Sequence, residues 1–272
     1  MAIKQPALPT RSNPGRSAGP NNKQLTRENR HLAGTKKPMA KLIDYLDATA
    51  QAEGLAALVA TQLRTALAAK ARATLAVPGG TTPGPFLRSL SEFDLDWGRV
   101  DVMLTDERFV PETSHRSNTR LLRETLLQGP AAAARMVPFY LPADHPEEVL
   151  DQIAAELAKV LPIDVCVLGM GTDMHIASLF PGADRLDDAL REDCPDLILA
   201  MRASGVPEPR LSLTAPVLSG AAHLHLLISG PEKLASLKEA EQTAEVRLAP
   251  VRLALEAPVG LVIHYTGSTG AS

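Results

Sequence analysis

Two cysteines in 272 residues, a single tryptophan and aromatic side chains at only 3% leave this chain little but aliphatic packing with which to build a core. Cys166 sits inside an apolar run and Cys194 stands alone. Neither belongs to a CxxC or Cys/His spacing, which sets aside a disulfide framework and a structural zinc and makes a reducing cytoplasm the simplest compartment. No run reaches the roughly 18 to 20 apolar residues that span a bilayer, so no membrane partner is expected. The length is enough for one large α/β domain or two small ones, with a core that needs no covalent staple.

Acidic residues are missing from one region in particular. Residues 1–38 carry eight Lys or Arg against Glu28 alone, a charge of +7 in a chain whose net charge is −3. The remainder holds 20 basic and 30 acidic residues, a net charge of −10 that would repel a phosphate backbone, so no nucleic-acid partner is expected. An anion must then be held by local contacts. The 1–38 segment is rich in Pro, Gly, Ser and Asn and poor in apolar residues, the composition of a disordered basic tail. It lacks the apolar core of a secretory signal and faintly resembles a transit peptide. Because Met39 opens the first folded-looking stretch, a misassigned start codon explains the segment equally well. Residues 39–272 are expected to form a single domain.

Between Tyr45 and Lys70, Leu55, Leu58, Val59, Leu63 and Leu67 recur at helical spacing in an alanine-rich background, which predicts an amphipathic helix. "ATLAVPGG" reads as a buried strand ending at Pro78, Gly79 and Gly80, with a helix through Phe86 and Leu87 after it. "RVDVMLTDERFVP" reads as a second strand with Asp106, Glu107 and Arg108 at its carboxyl end. "SNTRLLRETLLQG" reads as a helix capped by Ser117 or Asn118, with Gly129 just past its end. "HPEEVLDQIAAELAKV" and "PEKLASLKEAEQ" read as helices, and "IDVCVLGMG", "DLILAM", "HLHLLISG" and "VGLVIHY" as strands. Strands alternating with helices, several as near-continuous apolar runs, predict an α/β fold: a mostly parallel, Rossmann-like three-layer sheet with helices on both faces. Ligands of such sheets sit beyond the carboxyl ends of the strands.

The polar clusters fall there. The stretch Gly79-Gly80-Thr81-Thr82 suits close backbone approach to an anion at the start of a helix, although a plain strand-to-helix turn uses the same residues. It is neither a GxGxxG fingerprint nor a P-loop, which disfavours dinucleotides and nucleoside triphosphates. Asp106 and Arg108 are either a solvated strand-end cluster or, through the guanidinium fork, a device for a phosphate or an oxyanion. His175, with Asp173 nearby in "GMGTDMHIASLFPG", is the candidate general base, because imidazole is the side chain that exchanges protons near neutrality. No second ligand accompanies it, so no metal is expected. Arg210 in "RLSLT" and Lys233 in "SGPEK" are candidate phosphate clamps or ordinary surface charges.

Taken in this order, "PGGTTP", "TDERFVP" with the downstream "SN", "GMGTDMHIASLFPG", and "RLSLT" with "SGPEK" resemble the motifs of the 6-phosphogluconolactonase family, from about Met39 to the C-terminus. The resemblance implies a ribose-phosphate-isomerase-like α/β fold and cofactor-free hydrolysis of 6-phosphogluconolactone in the oxidative pentose phosphate pathway; a monomer or weak homo-oligomer is expected. It implies His175 as the base activating water and Asp173 as the residue shaping its loop. Arg108, Arg210 and Lys233, with the loop from Gly79 to Thr82, would handle the anion. The familiar motif has Gly where this chain has Met174; if that position needs positive φ, Met is strained there. A glucosamine-6-phosphate deaminase-like reading is the nearest alternative, but "SLFPG" stands where that motif supplies a Glu. A non-catalytic sugar-phosphate sensor domain is the other, and the 1–38 segment lacks the apolar periodicity of a DNA-binding helix pair.

Overall fold

The computed structural model describes residues 40–268, so the expectations for residues 1–38 lie outside the described residues. The strands are β1 (Lys41–Tyr45), β2 (Ala73–Val77), β3 (Val100–Leu104), β4 (Asp106–Arg108), β5 (Arg135–Met136), β6 (Val165–Gly169), β7 (Ile198–Met201), β8 (Arg210–Leu213), β9 (His223–Ser229) and β10 (Leu261–Thr266). The helices are α1 (Ala48–Ala69), α2 (Gly84–Ser91), α3 (Asn118–Thr125), α4 (Leu150–Ala158), α5 (Leu186–Leu190), α6 (Ala215–Ser219), α7 (Pro231–Gln242) and α8 (Arg252–Leu255).

Among the described residues, seven strands form one sheet in the order β1-β10-β9-β6-β2-β3-β5, parallel at every pairing. β2 and β3 are buried at every position, which requires cover on both faces and gives the three-layer arrangement expected from their apolar runs. In α1, Leu55, Val59 and Leu63 are fully buried, each stabilising the fold by about 1.5 to 3 kcal/mol. The Asp47 carboxylate starts that helix by accepting from the Ala50 N–H at 2.8 Å. Successive strands run from β2 outward through β3 to β5, and then β6 returns on the other side of β2. The carboxyl ends of β2 and β6 therefore flank a topological switch point, the place where open α/β sheets bind ligands.

Three elements depart from the sequence expectations. Asp106–Arg108 does not prolong β3. Thr105 donates its N–H to the Val77 carbonyl and accepts at its own carbonyl from Leu213 N–H, so the chain leaves the large sheet there. It re-enters as β4, in a second, antiparallel sheet of order β4-β8-β7. "DLILAM" is a strand, but of that small sheet, and "RLSLT", read only as a motif, supplies its central strand. The third departure is β1, a half-exposed edge strand paired with β10 just before the predicted helix. In addition, α3 starts as expected, with Ser117 as its cap, but ends at Thr125; Gly129 opens a separate 3-10 turn.

A buried polar chain ties this edge to the body. Tyr45 Oη lies 2.9 Å from His264 Nδ1, His264 Nε2 lies 3.1 Å from His225 Nδ1, and His225 Nε2 lies 2.8 Å from Gln62 Oε1. The Gln62 oxygen can only accept, so His225 donates from Nε2 and accepts at Nδ1, His264 donates from Nε2, and the Tyr45 hydroxyl donates to His264. Both imidazoles are neutral in this arrangement. Burial, reinforced by the neighbouring His264, pushes the His225 pKa down to about 3, and burial pushes His264 down to about 4.

Candidate active site

A cavity of about 340 Å³ opens at the switch point, within the roughly 300 to 1,000 Å³ typical of small-molecule sites. Gly79, Gly80, Thr81 and Thr82 reach it from the end of β2, Asp106 and Arg108 from β4, His175 from the loop after β6, Arg210 from β8 and Lys233 from the first turn of α7. Asp173, which the sequence placed beside them, does not line the cavity but holds His175. The structure thus gathers into one place residues separated by more than 150 positions in sequence.

The histidine loop is closed by its own backbone. Gly171 N–H donates to the His175 carbonyl at 3.1 Å, Met174 N–H donates to the Gly171 carbonyl at 3.0 Å, and Met170 and Ile176 form an antiparallel bridge. Asp173 Oδ1 lies 2.5 Å from His175 Nδ1. Burial alone would raise the Asp173 pKa, but the hydrogen bond and charge of His175 outweigh it and hold the carboxyl below its usual range. An ionised carboxylate can only accept, so Nδ1 carries the proton and Nε2 keeps a free lone pair. A Cβ on Gly171 would fall 2.3 Å from His175 Cε1 and 2.4 Å from Asp173 Oδ1, so only glycine leaves room for this pair. Met174 takes φ of +66°, the strained conformation the sequence raised as a condition, and its carbonyl accepts from Val251 N–H at 3.0 Å. Ser236 Oγ in α7 donates to the Thr172 carbonyl at 2.8 Å, a second outside restraint on the loop.

Ile176, Ala177 and Leu179 are buried and anchor the loop. Phe180, in the same apolar run, instead forms a wall of the cavity. Its ring is 4.3 Å from the His175 ring, and the Arg210 guanidinium carbon lies 5.9 Å from its centroid. Nothing in "IASLF" distinguishes such a wall from core.

The basic groups are unusual in lacking partners. Arg108 and Arg210 are directly opposed in the antiparallel register of β4 and β8, a like-charge pairing that costs stability unless an anion joins it. Arg210 is 9% exposed, its Nε has no acceptor, and among the described residues no carboxylate forms an ion pair with its side chain. Burial first, and then the Arg108 charge, push its pKa down, although Asp106 and Glu208 pull the other way. Arg108 donates through Nη1 to the Arg116 carbonyl, while its Nε is likewise unpartnered. Lys233 is half-buried without an ion-pair partner among the described residues, and burial lowers its pKa. These cations spend solvation that a bound anion would restore.

Asp106 is held from two sides: Ser178 Oγ donates to its Oδ2 at 2.6 Å and Thr105 Oγ1 to its Oδ1 at 3.2 Å. Ser178 N–H in turn donates to Ser212 Oγ, joining the histidine loop to β8. Ser178, an isolated small polar residue with no spacing signal of its own, was not legible in the sequence as part of this site, and Asn118 was legible there only as a helix-cap candidate and as the second residue of the "SN" motif. Among the described residues, no cluster of three or more His, Cys, Asp or Glu is placed to hold a metal ion, and no helix is long and apolar enough to cross a membrane.

Comparison with known proteins covers most of the chain. The family model for glucosamine-6-phosphate isomerases/6-phosphogluconolactonase matches residues 46–262. A 6-phosphogluconolactonase of Pseudomonas aeruginosa is 47% identical over 219 residues, 80% of this chain and 91% of that protein. One of Rhizobium meliloti is 45% identical over 208 residues, 76% of this chain and 90% of the relative. Among solved structures, the 6-phosphogluconolactonase from Shewanella baltica OS155 is similar with a TM-score of 0.79 at 31% identity, over 84% of this chain and 97% of that one.

Proposed function

The chain belongs to the glucosamine-6-phosphate isomerase/6-phosphogluconolactonase family, and from that premise we propose that it hydrolyses 6-phospho-D-glucono-1,5-lactone to 6-phospho-D-gluconate in the oxidative pentose phosphate pathway. The observation that carries the assignment of roles is the coexistence, in one cavity, of a histidine oriented by a carboxylate and a buried guanidinium without a partner.

His175 Nε2 takes a proton from water as the water oxygen attacks the lactone carbonyl carbon. Collapse of the tetrahedral intermediate breaks the bond from that carbon to the ring oxygen, and the imidazolium returns its proton to the departing oxygen. A δ-lactone is electrophilic enough that a proton acceptor and charge stabilisation suffice, without a covalent intermediate or a cofactor. Asp173 keeps the imidazole in the tautomer that can act. Arg210 and Lys233 hold the phosphate with the Gly79–Thr82 loop, whose Gly80 takes φ of +90°. Arg108 completes the arginine pair, and Asp106, oriented by Ser178, accepts from sugar hydroxyls. Phe180 packs against the His175 ring and under the Arg210 guanidinium, so the base and one of the anion-binding cations border the same wall of the cavity. The deaminase-like alternative calls for a Glu that "SLFPG" does not provide. Residues 39–272 act as one domain in the cytoplasm, as a monomer or weak homo-oligomer.

The test is hydrolysis of freshly generated 6-phosphogluconolactone, with spontaneous opening subtracted. Acceleration over the spontaneous rate, absent with glucosamine 6-phosphate, is the expected result. Deamination of glucosamine 6-phosphate without lactone hydrolysis would reverse the assignment.

A further inference from the structure

Glu107 is a fully buried carboxylate that faces no cation: among the described residues no ion pair includes it. It accepts instead from the first turn of α3. Oε1 takes the N–H groups of Arg108 and Asn118, both at 2.7 Å, and Oε2 takes Thr119 N–H at 2.7 Å and Ser117 Oγ at 3.1 Å. Burial raises its pKa against the pull of those hydrogen bonds, the mark of a charge kept in the interior at a cost. What it fixes is the position of one residue, Asn118.

Asn118 is 2% exposed and lines the cavity beside Gly79, Asp106 and His175. Its Nδ2 donates to the Asp106 main-chain carbonyl at 2.8 Å. A carbonyl can only accept, so the amide orientation is fixed by chemistry, and Oδ1 points the other way. A Cβ on Gly79 would fall 1.9 Å from that Oδ1 and 2.0 Å from Cγ, so the carboxamide lies flat on the glycine. Among the described residues nothing donates to Oδ1, although the other half of the same amide is satisfied and the helix beneath it is pinned by a buried charge.

We infer that Asn118 is a specificity-determining residue whose Oδ1 accepts a hydrogen bond from a ring hydroxyl of the sugar lactone, with Glu107 as the positioning residue that fixes it. The inference rests on the lactonase reading above and assigns that site a hydroxyl-reading acceptor distinct from its anion-binding cations. An oriented, otherwise unsatisfied acceptor rewards a ligand donor and penalises its absence.

The experiment compares kcat/KM on 6-phosphogluconolactone and on its 2-, 3- and 4-deoxy analogues, all retaining the phosphate, for the full chain and for Asn118→Ala and Glu107→Gln. Asn118→Ala should lose about tenfold on the full substrate, the worth of one neutral hydrogen bond, and far less on the one analogue that lacks the hydroxyl it reads. Glu107→Gln should show the same selectivity pattern, because an amide cannot accept at both positions. Should Asn118→Ala fail to fold by its circular dichroism and thermal midpoint, Asn118→Ser gives the same readout. An equal loss on the substrate and all three analogues, or no loss on any, overturns the inference and leaves the lactonase reading standing. Absence of lactone hydrolysis by the unmodified chain overturns both.

Discussion

Asp173 Oδ1 and His175 Nδ1 stand 2.5 Å apart in a loop where Gly171 leaves no space for a β-carbon. Because the Asp173 carboxyl is held below its usual range, it stays ionised through neutral pH and keeps the imidazole proton on Nδ1. Asp173→Asn should therefore lower kcat by roughly 10- to 100-fold, part of the 10² to 10⁴ that a positioned base supplies. Gly171→Ala should do at least as much by pushing the pair apart. Steady-state kinetics on both, with thermal midpoints to show the fold intact, checks the geometry; wild-type kcat in either would contradict it.

Arg210 and Lys233 make no ion pair among the described residues and face the same cavity. Arg210→Met or Lys233→Met should chiefly raise KM, since contacts to a distant phosphate hold ground state and transition state alike. The −10 net charge outside residues 1–38 makes long-range attraction of an anion poor, so the contribution is local. Unchanged KM in both variants would remove these residues from the phosphate site.

Met174 holds φ of +66° with its carbonyl tied to Val251 N–H. An unbranched side chain tolerates this conformation at a cost of order 1 to 2 kcal/mol, a β-branched one at more. Met174→Val should lower unfolding stability by about 1 to 2 kcal/mol beyond the ordinary effect of the swap, whereas Met174→Gly should stay within about 1 kcal/mol, as relief of strain offsets lost packing and added chain entropy. Urea denaturation of the two variants checks this; equal stabilities would place the strain elsewhere.

The architecture was legible where one segment carries its own signal. The apolar runs around Leu75, Val102 and Val167 are buried in parallel strands, and their polar followers meet at the switch point because strand direction alone puts them there. What escaped depends on tertiary partners. Thr105 bonds to both sheets at once, so the break after β3 has no periodicity to betray it. β8 is four residues long with a serine inside, and the central position between β4 and β7 makes it a strand. β1 alternates weakly because it is an edge. In the site, Phe180 reads as core and Asn118 as a helix-start residue, since what separates them from those roles is the neighbour each touches.

The paired imidazoles of His225 and His264 make a statement about acid stability. Their folded pKa values, about 3 and about 4, lie below the ordinary value near 6.5, so the unfolded chain binds protons that the folded one refuses. Stability from this chain of hydrogen bonds is full above about pH 6.5 and declines as pH falls through the interval toward 4. The thermal midpoint should drop over that interval, less steeply in His225→Asn, which has one group fewer to protonate. A midpoint flat from pH 7 to 4.5, or an equal slope in the variant, would contradict the neutral pair.

The most direct test of the whole account is kcat for His175→Ala at saturating 6-phosphogluconolactone, measured beside the unmodified chain. If His175 is the base, kcat should fall by about 10² to 10⁴-fold in a variant with an unchanged thermal midpoint. A folded His175→Ala protein that turns over lactone at near the original rate would contradict it.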